Sequence, residues 1–168
     1  SPIITNTYVV NNVIHLPVFC ISTDSLNLWD YNTGIYVMGP NAQPNSPYKN
    51  ANFWQDWRKP AAIEYYDKAK NRIFSFDADI AIYGNYSRAK PQKSMEIILE
   101  GKYGTGSLDY PFYTDKLNIN KNDDLVLRNS GTDWNVVHFR DAFMERVLKP
   151  THTGYIGAEP VVMYLNGS

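Results

Sequence analysis

The sequence predicts an α+β fold, in which a mainly antiparallel sheet is accompanied by one major helix. Aromatic residues are frequent, with thirteen Tyr, seven Phe and four Trp, and together with short β-branched runs they favour strands. Only one stretch, at 134–148, has a helical pattern between a capping residue and a proline. A chain of 168 residues is long enough for one domain with a sizeable core.

The first part of the chain alternates short apolar runs with polar loops. Residues 1–15 are polar apart from the run at 8–10, which predicts a leader or an edge strand. We expect a strand at 16–21 and a loop or short helical turn at 22–32. Residues 39–52 are dense in Pro, Asn and Gly and predict an exposed loop.

A hairpin is predicted from 61–66 and 72–83, because residues 67–71 between them carry a turn signal. The second strand alternates in hydrophobicity, as a half-buried strand requires. Its apolar parity comprises Phe74, Phe76, Ala78, Ile80 and Ile82, and its other parity comprises Ser75, Asp77, Asp79 and Tyr83. One face of the sheet is therefore expected to be core, and the other to carry two carboxylates.

The stretch 80–99 places Gly84, Arg88 and Lys93 between two apolar strands. Lys93 begins the second of these strands on its apolar side, whose other members are Met95, Ile97 and Leu99. An ammonium group there needs an anionic partner or a route to water, because burying it unpaired is costly. Lys93 therefore either binds a phosphorylated ligand beneath a glycine loop, or starts the strand and extends its amine to solvent.

The helix is expected at about 134–148, with Thr132 or Asp133 as its N-cap and Pro150 beyond its end. Its apolar stripe comprises Val136, Phe139, Phe143, Met144, Val147 and Leu148. Arg140 falls near the middle of that stripe, where a guanidinium needs a carboxylate or a phosphate. The expected carboxylates on the sheet and its edge are Asp77, Asp79 and Asp124.

Charge and composition argue against several functional classes. Sixteen basic and seventeen acidic residues leave a net charge of −1 without a basic tract, which argues against nucleic-acid binding. Cys20 is the only cysteine, so neither an intrachain disulfide nor a thiolate metal cluster is expected. The three histidines lack zinc-ligand spacing, and no apolar run approaches the length of a membrane span.

The last residues predict a strand at 161–165 and a hairpin turn at Asn166-Gly167. Because no returning strand follows, we expect a domain over 16–168 that is truncated after residue 168. A cut hairpin would leave an exposed strand edge, through which copies of the chain can pair.

Five stretches of the chain form an ordered series of motifs. They are LPVFCISTDSLNLWDYNTGIYVMG at 16–39, FWQDWRKPAAIEYYD at 53–67, IYGNYSRAKPQKSMEI at 82–97, LVLRNSGTDWNVVHFRDAF at 125–143 and PVVMYLNG at 160–167. The Gly-x-x-Ser-Arg, Pro-x-Lys-Ser and Arg-Asp motifs occur in register. Together they resemble the CotH kinase family, which includes spore coat proteins and many bacterial surface and secreted proteins. The resemblance covers nearly all of the chain from Leu16.

The resemblance implies the N-terminal part of an atypical protein kinase fold, which transfers phosphate from ATP to serine or threonine of a protein substrate with Mg²⁺. The cofactor-binding set that it implies is Gly84, Asn85, Ser87 and Arg88 over the nucleotide, Lys93 on its phosphate, and Arg140 on the helix. The family's catalytic and metal-binding aspartates are expected beyond residue 168, so this chain alone is not expected to catalyse. A secreted or cell-surface location is implied, with spore coat or cytoplasm as alternatives.

Two other hypotheses remain open at this point. The chain is alternatively a non-catalytic surface-binding module or adhesin, in which exposed Trp, Tyr and loop residues recognise protein or glycan. A third hypothesis is a degenerate kinase fold that is retained as a scaffold. Binding of nucleotide favours the first hypothesis, and binding of glycan without nucleotide favours the second.

Overall fold

The computed structural model describes residues 6–7, 13–116, 118–151 and 153–167. Their regular elements, in chain order, are β1 (Val18–Ser22), α1 (Ser25–Trp29), β2 (Lys59–Tyr66), β3 (Arg72–Tyr83), β4 (Ser94–Ile98), β5 (Leu108–Asp109), β6 (Lys121–Asn122), β7 (Asp124–Leu127), α2 (Arg140–Leu148) and β8 (Val162–Leu165). Short 3₁₀ turns occur at Asn52–Trp54, Tyr86–Ala89 and Gly131–Asp133. The fold is thus mixed α+β with mostly sheet, as predicted.

One curled sheet of six strands organises the molecule, in the order β7-β4-β3-β2-β1-β8. Neighbouring strands are antiparallel except β1 and β8, which are parallel. Strands β5 and β6 form a separate antiparallel pair. The predicted hairpin is confirmed as β2 and β3, and the mainly antiparallel character of the sheet is confirmed with it.

The alternation predicted for β3 sets the core face of the sheet. Ile80 lies opposite Ile97 of β4, and Ile82 lies opposite Met95. Ile80 and Ile97 are fully buried, because side chains from α1, the turn at Asn52–Trp54 and β5 cover this face. An aromatic cluster extends the core and comprises Phe19, Tyr65, Phe74, Tyr110 and Phe112.

The opposite face of the sheet carries buried carboxylates that already have partners. Asp79 accepts a hydrogen bond of 2.8 Å from the Tyr103 hydroxyl and forms an ion pair with Lys102. Asp77 is exposed. The expected pairing of Arg140 with Asp77, Asp79 or Asp124 is wrong, because the guanidinium of Arg140 pairs with Asp133 instead. Asp124 accepts a hydrogen bond from the Leu99 amide.

Helix α2 is shorter than predicted and begins at Arg140 rather than near residue 134. Residues 131–133 form a 3₁₀ turn, and His138 has a positive φ of 63°. The buried Asp133 carboxylate explains the late start, because it accepts hydrogen bonds from the amides of Val137 (3.4 Å) and Arg140 (3.1 Å). These bonds hold the chain in turns before the helix and satisfy the first helical amide.

The predicted burial of the apolar stripe on α2 is also wrong. Phe139, Phe143 and Met144 are 60%, 56% and 57% exposed, and Phe139 and Phe143 line an open groove together with Leu125 of β7 and Phe112. The stripe is not part of the hydrophobic core that the described residues form. Helical periodicity correctly indicated which side chains share a face, but it carried no information on what that face would contact.

The ends of the chain agree with the sequence where the structure describes them. The predicted strand at 161–165 is β8, and Asn166 and Gly167 have the positive φ values of 51° and 87° expected in a turn. The predicted edge strand at 8–10 lies outside the described residues. None of the described helices is long and apolar enough to cross a membrane.

Candidate functional site

The connection between β3 and β4 is a compact loop that begins at Gly84. Gly84 has a φ of 108°, and a β-carbon there would overlap the hydroxyl oxygen of Ser87. The loop then forms the 3₁₀ turn Tyr86–Ala89, in which the Arg88 amide donates to the Asn85 carbonyl (2.9 Å). Glycine is thus required here by backbone conformation and by close packing.

Arg88 fixes this loop to the segment that contains the turn Asn52–Trp54. Its Nε donates to the carbonyl of Gly84 (2.6 Å), and its Nη1 donates to the carbonyl of Trp54 (3.2 Å). Its Nη2 lies 3.2 Å from a carboxylate oxygen of Asp56. The guanidinium therefore uses its donors on groups within the protein, and these contacts hold the loop against the segment at Trp54–Asp56.

Lys93 lies directly beneath the loop, one residue before β4 rather than at its start as predicted, and it is 5% exposed, which agrees with the predicted burial of its side chain among apolar residues. Its Nζ donates to the carbonyls of Arg88 (2.7 Å) and Lys90 (3.0 Å). It also lies 3.9 Å from the centroid of the Phe53 ring and 5.3 Å from that of Tyr36. The alternative in which the amine extends freely into solvent is wrong.

The amine of Lys93 has no acidic partner among the ion pairs of the described residues. Desolvation by burial lowers its pKa from 10.5 to about 8. Carbonyl dipoles and aromatic faces stabilise the ammonium, but they supply no full negative charge. This position therefore favours an anion that approaches the amine.

Arg140 differs from the other predicted site residues in its surroundings. Gly84, Asn85, Ser87 and Arg88 share one loop above Lys93, whereas the Arg140 side chain is 61% exposed and pairs with Asp133 at 3.3 Å. The turn at Gly131–Asp133 lies beside the loop turn at Tyr86–Ala89. Among the described residues, Arg140 connects to the site through its pair with Asp133, and its predicted buried position is wrong.

Three residues that are distant in sequence contact Lys93 or its neighbours. Tyr36 accepts a 3.0 Å hydrogen bond from the Lys93 amide, Phe53 covers the amine, and Asn129 bonds to the residues around Lys93. Tyr36 and Phe53 lie in stretches that resemble the CotH family, but nothing in their local pattern indicates a contact with a distant lysine. Asn129 lies in the loop 128–133, for which the sequence indicates either capping and turn chemistry or a contact with nucleotide or substrate, and the structure shows its bonds to Ser94 and Gln92.

Metal binding has less support than anion binding. Among the residues that the structure describes, no group of three or more His, Cys, Asp or Glu is arranged to hold a metal ion. The carbonyl oxygens beside Lys93 already accept hydrogen bonds from its ammonium, and no carboxylate in the described part of the chain pairs with that amine, whereas Mg²⁺ is usually held by one or two carboxylates. No step that involves Mg²⁺ is therefore assigned to these residues.

Two open surfaces lie outside the loop. A groove of about 950 Å³ runs between α2 and the aromatic cluster, and its rim charges are paired as Arg128–Asp141 and Arg146–Glu159. A shallower cleft of about 470 Å³ is lined by Thr33, Asp56, Trp57, Arg58 and Lys59. Because Asp56 also contacts Arg88, this cleft adjoins the loop.

No protein-family model, curated protein or solved structure matches the chain. The case for a function therefore rests on the side chains around Lys93 and on the motifs that contain them. Of these, the buried amine is the group with the most specific chemical requirement.

Proposed function

We propose that this chain is the nucleotide-binding portion of a CotH-like atypical protein kinase, which transfers phosphate from ATP to serine or threonine of a protein substrate. The observation that carries this proposal is the buried Lys93 amine, which lies beneath a glycine-started loop without an acidic partner. Strand-borne lysines beneath such loops neutralise phosphate oxygens in nucleotide sites. The curled antiparallel sheet around it supports the same proposal.

Phosphate would supply what the surroundings of Lys93 lack. The amine now donates to two loop carbonyls, and a phosphate oxygen in their place would add a full charge to the interaction. The loop would have to move away from the amine for this exchange, while Gly84 allows its backbone to approach the ligand closely. Asn85, which is exposed, and Ser87 offer polar side chains on the same loop.

In this proposal the protein acts by positioning and by charge neutralisation, which dominate phosphoryl transfer. Arg88 holds the loop between β3 and β4 in shape through its bonds to the Gly84 and Trp54 carbonyls, and Lys93 neutralises the charge of the phosphate. Mg²⁺ is implied by the family resemblance alone, and none of the described residues is proposed as its ligand. On the resemblance alone, we also propose a secreted or cell-surface location.

Calorimetric titration of the chain with ATP and Mg²⁺ tests the proposal. The chain should bind, and Lys93→Ala should weaken binding by about tenfold or more, because a buried charge-assisted contact is lost. Lys116→Ala is the matched control, since Lys116 also bonds to a carbonyl and lies 4.0 Å from a ring centroid, both of Tyr155. Equal affinity in the wild type and Lys93→Ala would reject the assignment of the lysine.

A second candidate function is a surface-binding module for glycans. It is favoured by the exposed Trp29 (51%) and Tyr31 (62%), and by Trp57 (37%) in the shallow cleft beside charged groups. Aromatic faces next to polar side chains are typical of sugar sites. A glycan array decides between the two candidates. A signal that Trp57→Ala abolishes, together with no heat from ATP, favours the binding module.

A further inference from the structure

The carboxamide of Asn129 holds the residues on both sides of Lys93. Its Nδ2 donates to the carbonyl of Gln92 at 2.6 Å, directly before the lysine. Its Oδ1 accepts from the hydroxyl of Ser94 at 2.9 Å, directly after the lysine, and the Asn129 amide donates to the same hydroxyl at 3.0 Å. Asn129 is 2% exposed, so these bonds form in a dry environment.

The remaining hydrogen-bonding capacity of this carboxamide is also used. Oδ1 accepts from the Gly131 amide at 2.9 Å, and Nδ2 lies 3.5 Å from the carbonyl of Ser87 in the loop. Two donors and two acceptor sites are all that an amide side chain provides. A fully satisfied buried amide allows few other arrangements, because any displacement leaves a polar group unpaired.

We call the hydrogen bonds of Asn129 to Gln92 and Ser94 the Asn129 clamp. Lys93 requires this clamp because it lies just outside the hydrogen-bonded pairing of β3 and β4. The pairing of β3 with β4 ends at Tyr83 opposite Ser94, so the ladder does not hold the backbone of Lys93. Its own amide donates to a side chain, the hydroxyl of Tyr36, rather than to a neighbouring strand. A small rotation of this backbone would be amplified along the four methylene groups of the lysine.

We propose that Asn129 is a positioning residue, which holds the Lys93 amine in place for a phosphate by fixing Gln92 and Ser94. This inference rests on the proposed nucleotide-binding role of Lys93. Sites of this kind require their groups to be held within a fraction of an ångström, and displacement of a charged group lowers affinity steeply. Asn129 itself does not contact the nucleotide.

The test compares Asn129→Ala with Asn122→Ala in the full chain. Asn122 is the matched control, because it is also a buried asparagine (7% exposed) whose Nδ2 donates to backbone carbonyls, those of Leu108 and Tyr110. If Asn129→Ala does not fold, the variants Asn129→Asp and Ser94→Ala are tested in its place, because each removes only part of the clamp. Asn129→Asp keeps the acceptor for Ser94 but loses the donor to Gln92.

Two readouts separate positioning from general stability. The first is the titration of the Lys93 amine, measured by acetylation at a series of pH values and peptide mass spectrometry, without nucleotide. The titratable or charged groups around this amine are Tyr36 on one side and the loop with Arg88 and Lys90 on the other. The second readout is the affinity for ATP with Mg²⁺.

We expect Asn129→Ala to raise the acetylation midpoint of Lys93 by about one pH unit, because the displaced amine becomes hydrated. Its affinity for ATP should fall by about fivefold or more, with Asn122→Ala unchanged in both readouts. An unchanged midpoint in every clamp variant that folds would overturn the inference. If the wild type binds no ATP, the proposed function fails, and the midpoint still decides whether Asn129 positions the amine.

Discussion

The loop between β3 and β4 and the helix α2 differ in which side chains they bury and which they expose. In the loop, cationic groups are buried or half-buried and hydrogen-bonded to backbone carbonyls, as Lys93 and Arg88 illustrate. On α2, apolar groups such as Phe143 are exposed, and its arginines pair at the surface. Hydrogen bonds between cationic side chains and backbone carbonyls therefore hold the β3–β4 loop in place, whereas the hydrophobic stripe of α2 does not have this role.

Truncation of core and helix side chains should give the largest contrast. Ile97→Ala in β4 should lower the free energy of unfolding by about 2–5 kcal/mol, because it leaves a cavity in a fully buried position. Phe143→Ala should lower it by less than about 1 kcal/mol, since that ring is mostly in water. Urea denaturation of both variants measures the difference. A loss at Phe143 as large as that at Ile97 would show that the apolar face of α2 is packed.

Removal of an arginine should give the next contrast. Arg88→Ala leaves the carbonyls of Gly84 and Trp54 without this donor and should cost about 2–3 kcal/mol of unfolding free energy. Arg128→Ala should cost less than about 1 kcal/mol, because its pair with Asp141 is half exposed on both sides. Urea denaturation measures both losses of unfolding free energy. Equal losses would show that the arginine of the loop stabilises the fold no more than the arginine that pairs with α2.

The pH dependence of stability tests the buried amine by itself. Between its folded pKa of about 8 and its ordinary value of 10.5, the unfolded chain holds the proton of Lys93 and the folded chain does not. The free energy of unfolding therefore rises with pH across this window, by about 1–3 kcal/mol. Lys93→Met lacks this contribution, so the wild type should gain stability relative to the variant from pH 8 to pH 10.5. A constant difference between them contradicts the lowered pKa.

The strands and one side chain of the site were predictable from sequence. Period-two alternation placed Ile80 and Ile82 on the core face, and the same parity placed Lys93 beside Met95 and Ile97. The alternation predicts the core face correctly because paired strands place their alternate side chains on the same face of the sheet. The bulk of the sheet follows from this local pattern.

The helix and the partners of the lysine were not predictable in the same way. Asp133 delays α2 by binding the amides of Val137 and Arg140, which is a contact that helical periodicity does not represent. Phe53 and Asn129 reach Lys93 from parts of the chain that are distant in sequence. Such contacts are set by tertiary structure, so a single sequence does not reveal them.

Direct labelling at the site tests the central claim, that Lys93 binds a nucleotide phosphate. An acyl-phosphate derivative of ATP transfers its acyl group to a lysine amine beside the phosphates, and a lowered amine pKa favours this reaction. Peptide mass spectrometry should find Lys93 acylated, with unmodified ATP suppressing the label. Acylation confined to other lysines, such as Lys90, or a label on Lys93 that ATP does not suppress, would contradict the account.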